Sequence, residues 1–213
     1  MVSNKFSIKR IVVYLIGLVI LSLGIDLNTK TNLGIAPIVS VPYIISLKTG
    51  ILLGIVTFAY YVFLILLQIL IKKKAFKIRQ FLQIPCAFLT SAGMQIFDNI
   101  IPSPKSILES CVYLFLAIVI TAIGAGVVVE MNIVPNPADG LASAVGDIFG
   151  KEYGFGKNIV DIVSIIISTS LGWIFTGRIT GIGIGTVCSV IFIGRVASLF
   201  KDIFKKIYNW TQR

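Results

Sequence analysis

Histidine is absent from this 213-residue chain. That removes the commonest general base and the commonest metal ligand together. Cysteine is scarce: Cys86, Cys111 and Cys188 all sit inside apolar runs, without CxxC spacing. They read as small buried hydrophobes rather than as a metal or disulfide framework. No serine is paired with a base and no paired catalytic aspartate motif occurs, so no enzyme activity, cofactor or metal is expected. Charge is also thin. Charged residues make up 13% and hydrophobic ones 56%, against about 25% and 45–50% in soluble domains. Mean hydropathy is +0.96. A bilayer helix needs roughly 20 mostly apolar residues. The length therefore leaves no room for a separate soluble domain, and residues 1–213 read as a single transmembrane domain.

The little charge present is mostly of one sign, with 19 Lys+Arg against 9 Asp+Glu. It falls in short clusters between apolar runs: Lys5, Lys9 and Arg10; Lys72, Lys73, Lys74, Lys77 and Arg79; Lys201, Lys205 and Lys206. Such clusters orient helices and meet anionic head groups. Membrane lipids are the expected partner and nucleic acid is not. The basic start mimics a signal peptide, but the apolar segment runs on to Leu27 without an A-x-A pattern, so it is expected to stay as the first span.

Six stretches predict membrane helices: residues 11–25 (lengthened by 6–8), 49–71, 80–97, 110–129, 162–177 and the glycine-rich 179–200. Two more, 31–47 and 131–146, are broken by Pro37 and Pro42 and by Pro135 and Pro137. Each keeps about ten helix-compatible residues after its proline, ~15 Å at the helical rise. They read as half-helices or re-entrant elements, which must pack against protein or a wet cavity.

Residues 11–100 and 111–200 compared at a fixed offset of 100 share the residues that punctuate backbone: Gly24 and Gly124, Asn32 and Asn132, Pro37 and Pro137, Gly50 and Gly150, Gly54 and Gly154. One backbone plan used twice is the reading. With three spans per half, 14 Lys/Arg lie on the side of the N-terminus and 4 opposite; with eight spans, four per half, the numbers become 11 and 7. The positive-inside rule favours three spans per half, and an odd number makes the halves inverted. The expected fold is thus an all-α polytopic membrane protein with an inverted internal repeat, each half three spans plus a proline-broken half-helix, the alternative being eight spans. Inverted repeats with discontinuous helices meeting at the midplane are a recurrent transporter plan.

Three motifs, Leu33-Gly34-Ile35-Ala36-Pro37, Gly50-x-x-x-Gly54 and Gly181-Ile182-Gly183-Ile184-Gly185-Thr186, resemble the YczE/YyaS/YitT family of bacterial membrane proteins. The likeness runs from about Arg10 to Phe200 and looks closest to the YczE-like branch. It implies a multi-pass plasma-membrane protein with cytoplasmic termini and a transport role. Ile133-Val134-Pro135 departs from the Leu-Gly-Ile form of the first half.

The expected activity is carriage of a small, unidentified solute between the two broken helices; a passive channel or a membrane-embedded binding subunit of a larger complex are the alternatives. A homodimer is open to such a chain. Around Pro137, Asn136 and Asp139 predict a capped helix start aimed into the membrane, a positive end suited to an anionic or dipolar solute. Asp161 is an ionisable group inside an apolar run, hence a candidate by default. Asn32 and Asn132, beside Pro37 and Pro137, complete the set; they also suit the backbone freed by those prolines. Gln83 and Gln95 are lesser candidates. Arg195 reads as snorkelling, Gly181-x-Gly183-x-Gly185 as close helix packing, and the tail 205–213 as a lipid-surface anchor.

Overall fold

The computed structural model describes residues 7–212; Lys5, Phe6 and Arg213, which entered the charge and span expectations, lie outside them. Among the described residues there are nine α-helices and no strand: α1 Ile8–Lys30, α2 Pro37–Thr49, α3 Leu53–Lys72, α4 Gln83–Ile100, α5 Ile107–Met131, α6 Pro137–Ile148, α7 Tyr153–Thr176, α8 Ile184–Leu199 and α9 Lys201–Thr211. Two 3-10 turns, Lys73–Ala75 and Ile78–Leu82, link α3 to α4. Four helices, α1, α3, α5 and α7, are long and apolar enough to cross a bilayer.

The interior is an apolar core with enclosed polar groups, and the outer face is apolar as well, unlike that of a soluble protein. Ser22, Asp26, Ser40, Thr57, Gln68 and Gln83 are fully enclosed, whereas Val19, Phe63, Leu70, Phe115, Ile166 and Ile174 face outward. Water would penalise that outer face; hydrocarbon does not. The chain is an all-helical, membrane-embedded protein.

Local chemistry sets the helix ends. Pro37 and Pro137 each occupy the first turn of a short helix, where a missing N–H costs nothing. Asn32 (φ 56°) and Asn132 (φ 46°) take the left-handed conformation that turns the chain back after α1 and α5. Gly50 and Gly150 do the same after α2 and α6.

At the centre α1 and α5 run antiparallel. Gly24 lies against the backbone of Thr121, Gly124 against Leu21 and Gly17 against Val127. A methyl group on Gly24 would stand 2.5 Å from the Thr121 nitrogen, so only glycine permits this approach. Helix α4 runs parallel to α1, as Ser22 against Gly93 and Lys30 beside Asp98 require. Helix α3 opposes α4: Gly54 N–H donates to Gln95 at one end (3.0 Å), and Gln68 and Gln83 exchange reciprocal amide bonds of 3.0 Å at the other.

These directions decide what α2 and α6 do. Helix α1 stops, and α3 starts, at the end of the bundle marked by Lys30; α2 leaves and returns there. Helix α6 begins beside Gln68 and finishes where Asp147 meets Lys72 (3.1 Å), at the end marked by Arg10. Neither runs the length of the bundle. With 13 and 12 residues they measure about 20 and 18 Å. Ala138 in the first turn of α6 belongs to a buried cluster with Tyr61, Leu64 and Val160, and Ile38 in the first turn of α2 packs against the same cluster.

Several element boundaries differ from expectation. Helix α1 continues through Asp26 to Lys30, and α7 begins at Tyr153, so Asp161 lies two turns inside it rather than at its edge. Thr49 ends α2 instead of opening α3. Residues 179–183 are not helical. There Gly183 and Gly185 press against Leu33 and Gly34, and Gly185 N–H donates to Leu33 O (2.7 Å). Helix α9 is amphipathic. Its Phe204 enters the cluster of Tyr14, Leu18, Cys86 and Val127, while Lys9 and Arg10 sit over the Trp210 and Tyr208 rings (5.2 Å each).

Candidate functional site

The two reversals that follow α1 and α5 are held in different ways. In the first, Thr31 Oγ1 donates to Asn28 O (2.9 Å), and Asn28 Oδ1 accepts Ala36 N–H (2.7 Å), capping α2 from a neighbouring helix. Main-chain pairing does the rest: Ile35 N–H donates to Gly181 O (2.8 Å). In the second, side chains grip the carbonyls. Arg10, only 1% exposed, donates from Nε to Met131 O (2.6 Å) and from Nη2 to Asn132 O (2.9 Å). Arg79 Nη2 donates to Asn132 O (3.0 Å) and Ile133 O (2.6 Å), and Tyr14 OH to Val134 O (2.9 Å). Asn136 then caps α6, accepting Ala138 N–H (3.0 Å), and Gln68 Nε2 donates to Pro137 O (3.0 Å).

Space is distributed unequally too. At the Lys30 end two adjoining cavities of about 370 and 430 Å³ share Thr29, Asn32, Tyr43 and Leu47 in their walls. At the Arg10 end a smaller cavity of about 300 Å³ is lined by Asn132, Asp139, Ser143 and Tyr153, with Tyr153 OH donating to Asp139 (2.6 Å). A further space, apolar and about 600 Å³, opens between α3 and α7.

A model of a family of unknown function (DUF6198) matches residues 8–202. The chain belongs to that family. This DUF6198 chain is also similar to the uncharacterized protein YyaS of Bacillus subtilis (strain 168), 25% identical over 197 residues that cover 91% of this chain and 92% of YyaS. No solved structure matches it.

In this DUF6198 chain the expected site residues are divided rather than gathered. Asn32 lines the Lys30-end cavities; Asn132 and Asp139 line the Arg10-end cavity. Pro37, Asn136 and Pro137 stand at the enclosed half-helix starts. Asp161 is engaged by Lys157, one turn earlier, at 2.5 and 2.7 Å. Gln83 belongs to the Gln68 pair beside α6, and Gln95 caps α3.

Two buried charged residues were not among those expected. Arg10 was counted only as a topological charge, yet it is enclosed and clamps the second reversal. Asp26 was taken as the boundary of a charge-free run; it is fully buried, and neither carboxylate oxygen has a hydrogen-bond partner. Its signal was its place in the sequence, one helical turn before Lys30.

Proposed function

We propose that this DUF6198 chain is a secondary carrier of a small solute, built from two inverted halves, residues 11–100 and 111–200, that rock against each other about a central site. The observation that carries the reading is that α2 and α6, each opened by a proline, set their first turns on one apolar cluster around Tyr61 and run from it to opposite ends of the bundle. Each half-helix brings a positive dipole end to that cluster, which suits a solute carrying an anionic or dipolar group.

The repeat is supported by element boundaries that recur at an offset of about 100 and by the antiparallel course of α1 and α5. It is supported further by the apolar space between α3 and α7, where Val41, Ile45, Phe63 and Leu67 are matched by Leu141, Val145, Val163 and Ile167. In this reading α4 and α8 complete three passages per half. The Arg10 end carries Lys9, Lys72, Lys73, Lys74, Lys77 and the basic α9, whereas the Lys30 end carries Lys48, Lys105 and Arg178. The positive-inside rule then assigns the Arg10 end and both termini to the cytoplasm of a bacterial cell. The arginine-gripped second reversal and the roomier Lys30 end correspond to an outward-open state. We assign the chain to the YczE-like branch, with no catalytic step, and with membrane lipids and the solute as its partners.

Single cysteines at Asn32 and Asn132, in a background lacking Cys86, Cys111 and Cys188, test this with a membrane-impermeant thiol reagent in vesicles of known sidedness. A carrier gives reciprocal behaviour: cross-linking the Lys30 end shut raises reactivity at 132 from the cytoplasmic side. Simultaneous reactivity of both positions, indifferent to the cross-link, would instead identify a passive channel.

A further inference from the structure

Asp26 is the one carboxylate among the described residues that is both fully enclosed and free of any hydrogen-bond donor. An ionised carboxylate in that condition loses hydration and receives nothing in return, so the group neutralises instead of staying charged. Asp161, the other buried acid, is answered by Lys157. Asp26 has a cation close by that is engaged elsewhere. Lys30 lies one turn along the same helix, and its ammonium donates to Asp98 Oδ1 (2.8 Å) and Asp98 O (2.9 Å). Lys30 and Asp98 both line a cavity at the outer end.

We propose that Asp26 is the proton-carrying group that couples this carrier to the proton gradient, with the Lys30–Asp98 pair as its release switch. The proposal rests on the carrier reading above. In the proposed cycle Asp26 carries its proton in the conformation described here. When Lys30 turns from Asp98 toward Asp26, the O–H bond breaks, the proton passes to water in the outer cavity, and the carboxylate left behind pairs with the ammonium. Asp98, whose side chain is 37% exposed, is left to water. Reprotonation returns Lys30 to Asp98. Proton and charge are conserved at each step.

On α8, Cys188 adjoins Ser189, which accepts from Asn28, two residues from Asp26. Lys30 and Asp98 are the charges that act on Asp26. From α2 the Tyr43 phenol faces the same outer cavity. On α5, Glu109, Cys111 and Tyr113 lie toward the Lys30 end beyond it and Glu130 at the opposite end; on α4, Cys86 lies far down beside Tyr14. The nearest hydroxyls on α1, Ser22 and Thr29, already donate to carbonyls of their own helix. No group of three or more acidic, cysteine or histidine side chains that would hold a metal ion occurs among the described residues. A proton is the ligand this chemistry takes.

Infrared spectroscopy of the full-length protein in lipid nanodiscs reads the site directly. The wild type should show a buried carboxylic-acid carbonyl band at neutral pH, absent in Asp26→Asn. Asp98→Asn, altered at the accessible partner so that folding is undisturbed, frees Lys30 and should move loss of that band at least tenfold lower in proton affinity. In vesicles, the ratio of thiol reactivity at 32 and 132 should change with pH in the wild type and not in Asp26→Asn. Absence of the acid band, a band insensitive to Asp98→Asn, or a band removed by sodium but not by choline would each overturn the proposal. So would a pH-independent ratio in the wild type; reciprocal access at 32 and 132 in that case would leave the carrier reading standing and remove only its coupling to protons.

Discussion

If the chain is the carrier proposed above, removing the Arg10 guanidinium should open the end assigned to the cytoplasm. Two charge-assisted hydrogen bonds, 2.6 and 2.9 Å long, tie Arg10 to Met131 O and Asn132 O. Each contributes about 1.5–3 kcal/mol net when the donor is charged. Once the reversal lifts, both carbonyls can accept from water, so Arg10→Ala penalises the closed state by ~3 kcal/mol at the low end of that range. Every 1.4 kcal/mol is tenfold, so the closed-to-open ratio should fall about a hundredfold. The assay is the rate of thiol modification at Asn132→Cys from the cytoplasmic side, which should rise until reagent collision limits it. Arg79→Ala, removing two exposed bonds to Asn132 O and Ile133 O, should act in the same direction and more weakly. Circular dichroism and a single gel-filtration peak separate opening from unfolding. A well-folded Arg10→Ala protein whose rate at 132 stays within threefold of the parent would refute the idea that this grip holds the end closed.

Further expectations concern packing, charge and orientation. Gly24→Leu drives a side chain into the Thr121 backbone and should cost at least the ~1–3 kcal/mol usual for overpacking, seen as a lower detergent-solubilised unfolding temperature; an unchanged temperature would show that α1 and α5 do not meet there. Asp161→Asn leaves Lys157, whose side chain is 33% exposed, without its partner. Solute flux should change while expression holds, and unchanged uptake across a broad metabolite panel would remove Asp161 from the transport path. Lysines 72, 73, 74 and 77 should react with an impermeant amine reagent from the side that holds the N-terminus; labelling from the opposite side would overturn the assignment of cytoplasmic and outer ends.

Much of the backbone plan was legible because prolines and glycines act locally. Pro37 and Pro137 must open helices or break them, and Asn32 and Asn132, five residues earlier in each half, mark reversals, so the half-helices could be located without knowing what they touch. Residues 179–183 misled because apolar character and helix are different properties. A glycine-rich stretch forms helix poorly, and here its glycines allow the chain to pass against Leu33 and Gly34. The candidate site was less legible. Arg10 binds main-chain carbonyls 121 and 122 residues away, and carbonyls leave no trace in composition. Asp26 was hidden by treating the first charge after an apolar run as the end of a span, whereas enclosure by neighbouring helices lets α1 continue past it. Lys157 and Asp161, four residues apart on one helix, were a pair that spacing alone could have revealed.

Thr49 ends α2 and Phe149 follows the last residue of α6; both are exposed and occupy equivalent places in the two halves. Single cysteines at these positions, labelled with an impermeant reagent in sealed vesicles, test the inverted arrangement most directly. The account predicts that 49 is labelled only from outside and 149 only from the cytoplasm. Labelling of both from one side would contradict it.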